Sequence, residues 1–274
     1  MASSDVEKWY QAAVDVAKEA GVIIRDGFYK AKKVEMKGNP RDLVTETDKA
    51  VEDMVMATLH KTFPDHKFIG EESVAAGAKC ELTDAPTWII DPVDGTMNFV
   101  HSFPYTCISI GLWVDKEARV AVVFNPILDQ LYTAKKGEGA YLNGQPIKVS
   151  GQKELSKSLV MTELWCRPDE KKMKIAYSNA MKVISQSHGP RCMGSAALNM
   201  CQVAQGGADG YYEIGLHAWD VAAGKLIVEE AGGVVTDITG APIDIMNRRL
   251  LCVSSPELGK ALTDILEIYE EERD

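Results

Sequence analysis

The sequence predicts a mixed α/β fold in a single compact unit spanning residues 1–274. Three observations carry this expectation. Residues 1–155 hold two amphipathic helical stretches followed by an antiparallel meander. Residues 156–274 alternate strands with helices. Neither an internal repeat nor a low-complexity linker separates the halves, so they are expected to pack on one another. At about 150 residues per domain, a chain of this length can bury its own core without disulfides.

Val6, Trp9, Ala13, Val14, Ala17, Gly21 and Ile24 recur at roughly three- and four-residue spacing, which predicts a helix over 5–30. A second helix over 48–62 places Val51, Met54, Val55 and Leu59 on one face, with Thr47 as its expected N-cap. The Gly38-Asn39-Pro40 turn and Asp42-Leu43-Val44-Thr45 lie between them. Thr87-Trp88-Ile89-Ile90 reads as a short apolar strand that Asp91-Pro92 should end. Residues 105–114, 119–124 and 130–134 are β-rich and separated by turn residues. Asn143-Gly144 marks a hairpin between 140–142 and 147–149.

In the second half, 158–164 is a strand, 169–186 and 195–205 are helices, and 209–213 is a short strand. A helix over 220–231 stops at Gly232-Gly233. Strands follow at 234–236 and 250–253, and Ser255-Pro256 opens the last helix.

Composition narrows the function. Thirty basic against forty acidic residues give a net charge of −10, which excludes a uniformly basic nucleic-acid binder and leaves room for a cation site. No apolar run reaches the ~18 residues of a membrane span. Met1 to Lys8 is polar, without the apolar stretch of a signal peptide. The six cysteines form no CxxC and read as reduced core thiols of a cytoplasmic protein. GxSxG, Walker A and GxGxxG are all absent, which disfavours serine hydrolases and nucleotide-binding proteins.

The chemistry concentrates in Trp88-Ile89-Ile90-Asp91-Pro92-Val93-Asp94-Gly95-Thr96. Two carboxylates on one tight turn suit a hard divalent cation, and the Val93 carbonyl between them is a further candidate ligand. Gly95-Thr96 adds backbone N–H groups and a hydroxyl beside them, a cradle for an anion. Taken alone, the same run is also good turn chemistry. Glu71-Glu72 follows the apolar Phe68-Ile69-Gly70, and Asp220 opens an Ala/Gly-rich helix after Trp219. Alone, the first pair could be a solvated turn and Asp220 a simple N-cap.

Together, in this order and spacing, Gly70-Glu71-Glu72, Asp91-Pro92-Val93-Asp94-Gly95-Thr96 and Trp219-Asp220-Val221-Ala222-Ala223-Gly224 resemble the inositol monophosphatase family of Mg²⁺-dependent, lithium-sensitive phosphatases. Leu43-Val44-Thr45-Glu46-Thr47-Asp48, Ala231-Gly232-Gly233 and the run from Gly207 to Glu213 extend the resemblance over nearly the whole chain. It implies a layered α-β-α-β-α sandwich of the sugar-phosphatase type, a homodimer, and two to three Mg²⁺ per site. By resemblance, the metal ligands are Glu71, Asp91, the Val93 carbonyl, Asp94 and Asp220, with Asp91 bridging. The resemblance also implies that Thr96, paired with Asp48, helps orient and deprotonate the attacking water, and that Glu71 also reaches a third ion. By the same resemblance, Gly95 and Thr96 would bind the phosphate. It also implies that Asp94, Gly194, Ser195, Ala196, Glu213 and Asp220 face the substrate, and Lys37 matches a basic residue that some members place near the site entrance.

Met97, Trp165 and Cys166 depart from the family pattern. They leave the metal ligands intact and bear on which polyol is preferred. The expected activity is hydrolysis of inositol monophosphate, blocked by Li⁺, with no nucleic-acid or membrane partner. The alternatives are the same chemistry on another small phosphate, such as a sugar 1-phosphate, histidinol phosphate, or a bisphosphorylated nucleotide or sugar, and a non-catalytic binding module of the same fold.

Overall fold

The computed structural model describes residues 3–32, 34–36, 43–164 and 169–274. Lys37, the Gly38-Asn39-Pro40 turn, Asp42, Trp165 and Cys166 lie outside them.

The chain opens with α1 (Ser3–Phe28), β1 (Val34–Met36), β2 (Leu43–Thr45) and α2 (Glu46–Thr62). β3 (Lys67–Gly70), α3 (Glu71–Ala75), β4 (Thr87–Asp94) and α4 (Thr96–Val100) follow. The meander is β5 (Cys107–Val114), β6 (Glu117–Asn125), β7 (Gln130–Lys135), β8 (Ala140–Leu142) and β9 (Gln145–Ile147). The second half comprises β10 (Leu159–Thr162), α5 (Glu170–Gln186), β11 (Gly189–Arg191), α6 (Ala196–Ala204) and β12 (Gly210–Ile214). It closes with α7 (Ala218–Glu230), β13 (Val234–Thr236), β14 (Arg249–Val253) and α8 (Pro256–Thr263).

A seven-stranded sheet runs in chain order from β3 to β9, and a five-stranded sheet has the order β11-β10-β12-β14-β13. Side chains of a strand alternate between faces, and here both faces are buried. On β4 and β6, Trp88, Ile90, Val120 and Val122 pack under α1 and α2, while Ile89, Ala121 and Val123 face α6 and α7. On the second sheet, Tyr211, Leu250 and Cys252 close the same α6–α7 core from the other side. Their neighbours Tyr212, Leu251 and Val253 pack against Val183 of α5 and Leu258 and Leu262 of α8. The layers are therefore helices, sheet, helices, sheet, helices, as the resemblance implied.

Four local features depart from the expected ones. β4 does not end at Pro92. It continues to Asp94 through a bulge, with Asp91 opposite Ser109 and Asp94 opposite Cys107. A bulge tolerates a proline because the unpaired residue owes no ladder hydrogen bond. The N-cap of α2 is Thr45 rather than Thr47: its hydroxyl accepts from Thr47 N at 3.2 Å, and Asp48 at N3 returns a bond to Thr45 N at 2.9 Å. Asp220 likewise sits at N3 of α7, accepting from the N-cap residue His217 at 2.7 Å, and is not itself the cap. The last hairpin strand begins at Gln145, because Asn143 and Gly144 form a two-residue turn with positive φ at both positions.

Candidate active site

The site forms where the C-terminal end of β4 meets the N-terminal turns of α4, α6 and α7. Asp91, Asp94 and Asp220 each offer a carboxylate oxygen, and these oxygens all lie within 4.8 Å of one another. Burial, and next the charge of Asp94, push the Asp220 carboxyl well above the usual carboxylate range, with Glu71 adding to the effect. Burial pushes Asp94 up to about 6. Hard oxygen donors packed against one another at this cost are the donor chemistry of a divalent cation such as Mg²⁺. The residues present fit such an ion.

Each donor is held from below. Asp91 Oδ1 accepts from Val93 N at 3.1 Å across the bulge. Asp94 is anchored by the first turn of α6. Its Oδ2 accepts from Ser195 Oγ at 2.6 Å and Ala197 N at 2.7 Å, and its Oδ1 from Ala196 N at 3.3 Å. An acidic group there also gains from the helix dipole. The Ser195 hydroxyl and the Ala196 N–H, expected to face the substrate, are thus engaged with Asp94. Glu71 begins α3, whose first turn is fixed by buried Glu52: Glu52 accepts from Glu72 N at 2.8 Å and Ser73 N at 2.7 Å.

Thr96 opens α4. Its hydroxyl lies 3.2 Å from Asp48 Oδ1 and 3.0 Å from the Val93 carbonyl oxygen, so Val93 O meets Thr96 directly. Asp48 is fully buried, and that burial pushes its carboxyl up to about 6 despite hydrogen bonds from Thr45. Gly95 joins β4 to α4 with φ +87°, and a Cβ there would lie 3.0 Å from the carbonyl oxygens of Gly194 and Tyr105. Only glycine meets both conditions without strain.

Glu213 lies on β12, paired between β10 and β14, and is only 4% exposed. It is therefore not an edge-strand surface residue, and Tyr211 OH donates to it. His217 stacks on Trp219 with ring centroids 4.5 Å apart, and its Nδ1 meets Asp274 at 2.7 Å. Glu52, Glu163 and Asn98 are supports of the site that sequence reasoning missed. Their partners lie far along the chain or on backbone atoms, so no local motif marks them.

The layered fold and this acidic cluster, set beside a hydroxyl–carboxylate pair, suit a phosphoester hydrolase in class. Comparison with known proteins narrows the class. A model of the inositol monophosphatase family matches residues 5–271. Inositol monophosphatase 1 of Mus musculus is 48% identical over 263 residues, covering 96% of this chain and 95% of the relative. Inositol monophosphatase 2 of Homo sapiens is 44% identical over 275 residues, covering 100% of this chain and 96% of the relative. Among solved structures, an inositol monophosphatase from Anabaena superposes with a TM-score of 0.82 at 33% identity, covering 95% of this chain and 96% of that one. The chain belongs to the inositol monophosphatase family, and so to the phosphoric monoester hydrolases. None of its described helices is long and apolar enough to cross a membrane.

Proposed function

We propose that the protein hydrolyses inositol monophosphate to inositol and phosphate with Mg²⁺, and that Li⁺ inhibits it. The observation that carries this reading is the convergence of Asp91, Asp94 and Asp220 beside the Thr96–Asp48 pair. Glu71, Asp91, the Val93 carbonyl, Asp94 and Asp220 would hold two to three Mg²⁺, with Asp91 shared. When bound there, Mg²⁺ lowers the pKa of water and neutralises phosphoryl and leaving-group charge.

The chain's own groups do the rest. Gly95 and Thr96 present backbone N–H groups to the phosphate. Thr96 Oγ1 has one proton, and when it points to Asp48 a lone pair remains to accept from the attacking water. As that water attacks phosphorus, its proton passes to Thr96 Oγ1 and the Thr96 proton to Asp48 Oδ1. With its carboxyl at about 6, Asp48 is mostly ionised near neutrality yet a stronger base than an ordinary aspartate. Cleavage of the P–O bond leaves the inositol oxygen to take a proton from solvent while Asp48 returns its proton to solvent, so water and ester become alcohol and phosphate. Glu213 accepts from ring hydroxyls, while Gly194, Ser195 and Ala196 shape the wall beside Asp94, and Asp220 lies against the leaving oxygen.

A homodimer, a cytoplasmic location and a single catalytic unit over 1–274 complete the reading. The five described cysteines are free, which suits a reducing compartment. The direct test of the metal site is a Mg²⁺ titration followed by melting temperature. Stabilisation that saturates and disappears with EDTA supports it. A melting curve indifferent to Mg²⁺ overturns it.

A further inference from the structure

The turn that precedes α6 is gripped from both sides. Glu163, just past β10, accepts at Oε1 from Met193 N at 2.9 Å, Gly194 N at 2.8 Å and Asn199 Nδ2 at 2.8 Å. Asn98 of α4 takes the carbonyl side. Its Nδ2 donates to Met193 O at 2.7 Å and Gly194 O at 3.3 Å, and also to Tyr105 O at 2.7 Å. Tyr105 OH closes the ring by donating to Asn199 Oδ1 at 3.1 Å. Gly194 has φ +81°, and a Cβ there would lie 2.9 Å from Asn98 Nδ2, so the turn and its grip are mutually fitted.

The next three residues, Ser195, Ala196 and Ala197, are the ones that hold Asp94. These donors open α6 directly after the gripped turn. We infer that Glu163 is a positioning residue for Asp94, acting through the Met193-Gly194 turn with Asn98 as its counterpart. This rests on the reading of Asp94 as a metal ligand. Glu163 belongs to the second half of the chain, while Asn98 and Asp94 belong to the first. The ring therefore registers the two halves against each other at the metal site. Its effect should appear in metal affinity rather than in stability alone.

The test is a Mg²⁺ titration of wild type, Glu163→Ala, Glu163→Gln, Asn98→Ala and Asp94→Asn. It is read by thermal shift and by phosphate release from inositol 1-phosphate. Glu163→Ala and Asn98→Ala should raise the Mg²⁺ midpoint and lower kcat, each about tenfold, while KM stays within about twofold. Glu163→Gln keeps the Oε1 acceptor and should return to within about threefold of wild type. A fallen melting temperature with an unchanged Mg²⁺ midpoint in both alanine variants would make the ring a prop of stability and overturn the inference. A loss in Glu163→Gln equal to that in Glu163→Ala would also overturn it, because the charge and not the acceptor would then matter. Should Glu163→Ala show no cooperative melt, Asn98→Ala and Glu163→Gln decide the question. If Asp94→Asn keeps the wild-type Mg²⁺ midpoint, the metal reading falls and takes the inference with it. If Asp94→Asn loses the Mg²⁺ response while Glu163→Ala retains it, the inference falls alone.

Discussion

Thr96 Oγ1 lies 3.2 Å from Asp48 Oδ1, joining the start of α4 to the buried Asp48 in the first turn of α2 across 48 residues of sequence. In the proposed reaction this pair takes the proton of the attacking water. Thr96→Ala should therefore lower kcat about a hundredfold, the scale of positioned proton transfer, with KM within about threefold. Thr96→Ser keeps the hydroxyl and should recover most of the loss. Steady-state kinetics on inositol 1-phosphate distinguish this from a binding role, which would raise KM at constant kcat.

Asp91 sits at the bulge of β4 within the group of three acidic oxygens. Removing its charge should cost several kcal/mol of transition-state stabilisation, about a thousandfold in rate. Asp91→Asn should also lose the Mg²⁺-dependent rise in melting temperature. Near-normal kcat in this variant would remove Asp91 from the metal site.

The buried carboxyls make metal-free stability depend on pH in an unusual direction. Burial pushes Asp94 and Asp48 up to about 6, and Asp220 well above the ordinary range. Such groups hold their protons more tightly folded than unfolded. Their stabilisation is complete below the unfolded value, about 3.9, and is lost as pH climbs through the folded value. In EDTA, the melting temperature should fall between about pH 5 and pH 7. With saturating Mg²⁺ the trend should reverse over the same range, because the ligands bind the ion deprotonated. A metal-free melting temperature that rises with pH across this window contradicts the assignment.

Glu213 is buried on β12 and bonded by Tyr211 OH. Its proposed partners are ring hydroxyls, not the phosphate. Glu213→Gln should change kcat/KM for inositol 1-phosphate by about tenfold or more while leaving an aryl phosphate within about threefold. Equal losses on both would assign Glu213 to the chemistry or to the fold.

The layers were legible because each half carries its own periodicity. Trp88-Ile89-Ile90 reads as a short apolar strand and is buried on both faces, and Trp9, Ala13, Ala17 and Ile24 read as one helix face. α3 and α4 were not legible: five residues complete too little of a helical period to stand out from a turn. The N-cap of α2 was misplaced by two residues, because Thr45 and Thr47 are both competent caps and only the returning bond from Asp48 chooses between them. At the site, the acidic residues were visible as motifs. The supports were not. Glu163 meets Met193 N across 30 residues, and Asn98 meets Met193 O across 95, through backbone atoms that any residue type would supply. Ser195 shows the same limit. Its hydroxyl looks available in the sequence and is bonded to Asp94 in the fold.

The most direct measurement of the central claim is phosphate release from inositol 1-phosphate with Mg²⁺, with EDTA, and with Mg²⁺ plus Li⁺. Glucose 1-phosphate, histidinol phosphate, fructose 1,6-bisphosphate and adenosine 3′,5′-bisphosphate run alongside. The expected turnover requires Mg²⁺, is blocked by Li⁺ and is fastest on inositol 1-phosphate. Turnover that persists in EDTA, or a folded, Mg²⁺-binding protein that releases no phosphate from inositol 1-phosphate, would contradict it.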